Sequence, residues 1–314
     1  MFVARGIGIS LAMFLLVYVA VSVAVSRMWH LLRRALAPRT TWAAANLLFA
    51  LRIFPFALAS IFTLVFTLPS FLWLEPRSTD EAVGTAPFML GLCCLALLAA
   101  GLVQAARAQI RTSRALMQWL DGATVLDSGA QVPVFRTGRN TPSLTVAGVR
   151  EPKVLVSEAA IAALTPMELR TALKHEISHA RSYDNLKKLL FRFSAFPGMA
   201  GLELAWSEQS ELAADDAAVS SAREALDLAS ALIKVSRLSA PRPQPALTTG
   251  LLHSSTALPE RVQRLIAWEK SPPTTNVEYW RYALPYLSGT LFLLIATYSS
   301  ALIRLHQVTE WLVR

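Results

Sequence analysis

The stretch Thr165-Pro166-Met167-Glu168-Leu169-Arg170-Thr171-Ala172-Leu173-Lys174-His175-Glu176-Ile177-Ser178-His179 reads as one helix carrying two imidazoles a single turn apart. Thr165 can accept from the backbone of Glu168 while Glu168 reaches back, the reciprocal pattern of a capping box, and Pro166 suits the first helical position. No glycine or proline interrupts the run before His179, so His175 and His179 share a face. Two imidazoles so placed can reach one zinc ion at about 2.0–2.1 Å, and Glu176 stands where a base is needed. This is the H-E-x-x-H pattern of zinc peptidases.

A catalytic zinc takes three protein ligands and keeps one position open. An acidic helix expected from Ser207 to about Ser239 offers Glu208, Glu211, Asp215 and Asp216. Glu211 is the preferred third ligand, because Asp215 lies four residues on and could accept the second N–H of a ligating histidine. Glu208, one turn earlier, is the alternative. Pro241-Arg242-Pro243-Gln244-Pro245 should end that helix, and Pro259 to Ala267 should form a short one. His253 and Arg261 are candidate donors to a tetrahedral oxyanion.

Upstream, Ala130–Phe135, Ser143–Val149 and Lys153–Val156 read as three short strands, with a turn at Gly138-Arg139-Asn140. Ser143–Val149 could take an extended substrate by strand addition.

Composition sets the surroundings. A mean hydropathy of +0.43 and 54% hydrophobic residues exceed what an ordinary soluble enzyme carries. Four apolar runs are long enough to cross a bilayer: Ile7–Val25, Ile53–Leu74, Pro87–Ala106 and Leu284–Ile303. The first is longer than a signal-peptide core and positive charge follows it, so a retained span is expected. Arg39–Arg52 is expected to extend the second span into the interface or cytoplasm.

Arg27, Arg33, Arg34 and Arg39 place the first loop inside, while Glu75, Asp80 and Glu81 outnumber Arg77 in the second. Arg107, Arg111 and Arg114 then place residues 107–282 in the cytoplasm, with both termini outside. Lys174, Arg170, Arg181, Lys187 and Lys188 surround the motif and keep it out of the bilayer. The net charge of +9 is concentrated beside the spans, which favours anionic lipid over nucleic acid as its partner. Cys93 and Cys94 are adjacent within the third span and make no disulfide framework.

The expected architecture is a multi-pass α-helical membrane protein with four spans. An α+β, mainly helical, zincin-like metalloprotease domain lies between spans three and four. Its parts are a membrane domain at 1–106, a peptidase domain at 107–282, and a last span with a short tail at 283–314.

Beyond the motif, Asp184-Asn185-Leu186-Lys187 and Glu211-Leu212-Ala213-Ala214-Asp215-Asp216-Ala217-Ala218 follow, and Gly148-Val149-Arg150-Glu151-Pro152-Lys153-Val154-Leu155-Val156-Ser157 precedes it. Together these segments resemble the bacterial membrane metallopeptidases of the BlaR/MecR type, a gluzincin group, over residues 130 to 270. The resemblance implies zinc held by His175, His179 and Glu211, and Asp215 behind a ligand. It also implies Glu176 moving a proton from the attacking water to the leaving amine. The best-known members carry an extracytoplasmic β-lactam sensor after the fourth span, and this chain is expected to lack one.

The function so implied is cleavage of a cytoplasmic or membrane-proximal protein, such as a transcriptional repressor, in the bacterial inner membrane. A homo-oligomer is compatible with it. The alternatives are a broad quality-control protease of the heat-shock or CAAX-protease kind and a catalytically silent scaffold. A transporter would need ionisable groups within its spans, and these runs carry essentially none.

Overall fold

A computed structural model describes residues 2–32, 40–75, 84–126, 132–138, 141–238, 245–251, 258–268 and 297–311. The chain is mainly helical and divides into two compact units. The first unit comprises the described parts of Met1–Arg27, Phe54–Ala99 and Ser271–Arg314. The second comprises those of Met28–Ile53 and Ala100–Lys270.

Among the described residues, three helices are long and apolar enough to cross a membrane, in the segments Phe2–Trp29, Thr41–Leu74 and Thr85–Leu120. The first is α1 (Phe2–Leu32). The second is α2 (Thr41–Phe62), which passes through a π-turn at Thr63–Thr67 into α3 (Leu68–Leu74). The third is α4 (Thr85–Leu120). The expected run Leu284–Ile303 lies mostly outside the described residues, and its end belongs to a helix at 297–311. Within the first unit Ile9, Met13 and Phe71 form a small core. Two backbone carbonyls bind the terminal helix to the second span: Ser70 Oγ donates to Leu302 O, and Tyr298 donates to Val65 O.

The second unit holds a five-stranded sheet in the order β1-β2-β4-β3-β5. The strands are β1 (Thr124–Leu126), β2 (Val134–Thr137), β3 (Leu144–Ala147), β4 (Lys153–Ser157) and β5 (Thr248–Gly250). Only β2 and β4 run parallel, with Val134 opposite Val154, and the other neighbours are antiparallel. The turn from β3 to β4 needs Gly148, which has φ 100° and whose Cβ would stand 2.8 Å from the Glu151 carbonyl oxygen. Helices α5 (Glu158–Ala163), α6 (Pro166–Arg181), α7 (Asp184–Phe193), α8 (Ala200–Ala218), α9 (Ala222–Leu238) and α10 (Leu258–Ile266) complete the unit. Val134, Leu144, Val146, Val154 and Val156 bury one sheet face against Ala172 and Ala180 of α6 and Leu228 and Leu232 of α9.

Several expectations need correction. Of the three expected strands, the first appears as β2, reaching two residues further to Thr137, the second is shortened to Leu144–Ala147 and the third runs one residue further to Ser157, while β1 and β5 add two more. The single acidic helix from Ser207 to Ser239 is two helices, α8 and α9, divided at Val219–Ser221. The strand Ser143–Val149 is not a free edge, because β5 pairs along it with Val146 opposite Thr249. Arg139 and Asn140 lie outside the described residues. By compactness, the described residues among 28–53 and 100–106 group with the second unit, so that division falls inside α1, α2 and α4. Arg52 shows why: its buried guanidinium donates to Glu203 at 2.8 and 2.9 Å and to the Phe191 carbonyl at 3.3 Å.

Candidate metal centre

Helix α6 begins as its sequence dictates. Thr165 Oγ1 accepts from the Glu168 backbone, Glu168 Oε2 accepts from the Thr165 backbone at 2.8 Å, and Pro166 opens the helix. The start fixes the phase, so His175, Glu176 and His179 all turn inward, with exposures of 0%, 0% and 2%. Helix α8 brings Glu211 and Asp215 against them, both buried.

The two histidines point Nε2 at Nε2, 3.1 Å apart. Glu211 lies 3.5 Å from His175 Nε2 through Oε2 and 3.7 Å from His179 Nε2 through Oε1. Ligand atoms at the corners of a tetrahedron about a zinc ion would be about 3.3 Å apart, given bonds of about 2.05 Å. The two Nε2 atoms are close to that spacing, the two Glu211 distances belong to different oxygens, and with one atom from each residue the three ligand atoms all lie within 4.8 Å of one another. His175, His179 and Glu211 can therefore hold a metal ion. Glu208 is not among the three.

Each histidine has a carboxylate at its other nitrogen. His179 Nδ1 lies 2.7 Å from Asp184 Oδ2, and His175 Nδ1 lies 3.0 Å from Asp215 Oδ1. The Asp184 contact is a hydrogen bond and fixes the His179 tautomer with Nε2 toward the ion, whereas the Asp215 contact has the distance but not the geometry of a hydrogen bond and acts on His175 as a nearby charge. Asp184 arrives through a local twist: α6 stops at Arg181, Tyr183 adopts the left-handed conformation at φ 54°, and α7 opens at Asp184. The Asp215 partnership was legible in the sequence. The Asp184 partnership was not used there, although the five-residue spacing across a helix end was visible.

Arg261 of α10 sits behind this set, 1% exposed. Its Nε and Nη2 donate to the two Asp215 oxygens at 2.8 and 2.6 Å. Nη1 donates to Glu211 Oε2 at 2.9 Å and to the Leu251 carbonyl at 3.0 Å. All three guanidinium nitrogens are thus engaged with the carboxylates and the backbone. His253 lies outside the described residues.

Electrostatics follow from this packing. Burial opposes charge on His175, but Asp215 and Glu211 outweigh it and hold the pKa up at about 9. Burial likewise opposes ionisation of Glu211, yet His179 and Arg261 hold its carboxyl far below the usual range. Asp184 is also lowered, burial being outweighed by His179 and Lys187. Carboxylates that hold a proton on a histidine equally favour a metal cation that replaces it. Glu176 differs: burial pushes its pKa up to about 7, and neither carboxyl oxygen has a hydrogen-bond partner among the described residues. A buried acceptor without a partner beside three convergent ligand atoms fits a centre meant to hold an ion and water.

No protein-family model matches the chain, and no curated protein matches it in sequence.

Proposed function

We propose that the chain is an integral-membrane zinc endopeptidase of the BlaR/MecR type. It would have four spans, both termini outside the bacterial inner membrane, and a zincin-like domain in the cytoplasm. Its substrate would be a regulatory protein such as a transcriptional repressor. The observation that carries the reading is the convergence of His175, His179 and Glu211, whose ligand atoms all lie within 4.8 Å of one another, with Glu176 buried beside them and without a hydrogen-bond partner among the described residues.

Zinc suits two imidazoles and one carboxylate, and when bound it lowers the pKa of water and polarises a carbonyl. Glu176 takes the proton as the water oxygen bonds to the scissile carbonyl carbon. It returns that proton to the amide nitrogen as the carbon–nitrogen bond breaks. His179 is held in its ligating tautomer by Asp184, and Asp215 stands 3.0 Å from His175 Nδ1 as its charge partner. Arg261 is a positioning residue, since its nitrogens orient Glu211 and Asp215. That leaves His253 as the proposed donor to the tetrahedral oxygen.

The test compares cells making wild-type protein with cells making Glu176→Gln, reading new protein termini by mass spectrometry. We expect a small set of termini, in one or a few regulatory proteins, that vanish with Glu176→Gln. Identical termini in both strains would refute peptidase activity. Many cuts in many membrane proteins would replace the regulatory role with quality control.

A further inference from the structure

A cavity of about 750 Å³ lies within the second unit, on the far side of α6 from the metal centre. With about 3.6 residues per turn, Lys174, Ile177, Ser178 and Arg181 face away from His175, Glu176 and His179. These four, with Ser182, form one wall, and Trp42 and Asn46 of α2 form another. The volume is in the range of small-molecule sites.

The wall chemistry is divided. Trp42, Ile177 and Val219 offer an apolar surface, while Lys174, Arg181 and Lys187 bring three cations. None of the residues lining the cavity is acidic. Two of the cations are matched from outside the wall, Lys174 by Glu224 at 2.6 Å and Lys187 by Asp184 at 3.1 Å. Among the described residues, no carboxylate pairs with Arg181, which is exposed at the C-terminal end of α6. Ser178, Ser182 and the half-buried Asn46 amide supply further polar groups to the same space.

We propose that this cavity is a binding site for an anionic amphiphile, an apolar chain ending in one carboxylate or phosphate. The anion meets the Arg181 fork, which suits both groups. The chain lies against Trp42, Ile177 and Val219. Helix α2 supports a lipid-like chain, because the helix that supplies Trp42 and Asn46 continues into the apolar segment ending at Leu74. The site also has a short route to the metal centre. Lys187 binds Asp184 Oδ1, and Asp184 Oδ2 binds His179. An anion that drew Lys187 toward the cavity would change the hold on His179 through one carboxylate.

The site is tested with the whole chain in phosphatidylcholine nanodiscs, using a diazirine-bearing hexadecanoic acid as photoprobe and mapping labelled peptides by mass spectrometry. Labelling should fall on the peptides containing Ile177 and Val219. It should be displaced by hexadecanoate and not by hexadecanol, and should drop about tenfold in Arg181→Ala, the loss of one charged hydrogen-bonding partner. Val219→Trp, which fills the cavity, should lower it as well, with circular dichroism confirming that both variants fold. Displacement by phosphatidic acid placed in the disc would identify a lipid source, and displacement by the free acid alone a soluble one. The proposal is overturned if labelling is confined to the membrane-crossing segments or is unchanged in both variants. It is equally overturned if an acidic peptide without an apolar chain displaces the probe and hexadecanoate does not.

Discussion

At the scale of the residue, Arg261 offsets the negative charge of the centre. Glu211 and Asp215 are both buried, and their oxygens share this one guanidinium. Arg261→Met would leave two buried carboxylates short of a counter-charge, a loss expected to cost about 3–5 kcal/mol in urea unfolding. Arg261→Lys should recover little of it, since an ammonium cannot reproduce the two-nitrogen grip on Asp215. Asp184→Asn should weaken zinc affinity about 10- to 100-fold in a chelator competition, because His179 loses its anionic partner. The group that could hold a metal ion was legible from spacing, as helix periodicity aligns His175 with His179 and sets Glu211 one turn before Asp215. The roles of Asp184 and Arg261 were not, because they depend on the left-handed Tyr183 and on where α10 docks.

At the scale of the element, the capping box at Thr165 ties helix start to tertiary structure. Glu168 accepts from the Thr165 backbone and from Ser230 and Lys234 of α9. Burial resists its ionisation, but these donors outweigh burial and lower its pKa from 4.5 to about 2. A depressed carboxyl stabilises the fold fully above its unfolded pKa and less as pH falls toward its folded one. Thermal melts of wild type and Glu168→Gln should therefore differ by a constant margin above about pH 5 and converge between about pH 4.5 and 2. Thr165→Ala should cost about 1 kcal/mol at neutral pH. The start of α6 was readable because its signals are local. The break between α8 and α9 carries a local signal too, for Ser221 Oγ accepts from the Glu224 backbone and Glu224 accepts from the Ser220 backbone. That Ser-x-x-Glu is a weaker marker than the one at Thr165, since no proline or glycine accompanies it. Strands β1 and β5 have three residues each, too few for a period of two to show.

At the scale of the whole molecule, α2 and α4 each give residues to both compact units. Hydropathy located the apolar stretches of these helices but could not show that residues 41–53 of α2 and 100–120 of α4 join the second unit. Arg52, at the end of the expected extension of the second span, binds α2 to Glu203. The proposed orientation puts Gly84 outside and Ala123 inside. In a background with Cys93 and Cys94 replaced by alanine, an impermeant maleimide applied to intact spheroplasts should label Gly84→Cys and spare Ala123→Cys until the membrane is opened. The reverse pattern would invert the topology.

The most direct measurement is the metal content of the purified whole chain by inductively coupled plasma mass spectrometry, after zinc loading and removal of excess. The expected result is one zinc per chain in wild type and in Glu176→Gln, and none in His175→Ala or Glu211→Gln. Wild-type protein without stoichiometric zinc, or Glu211→Gln retaining it undiminished, would contradict a centre built by His175, His179 and Glu211.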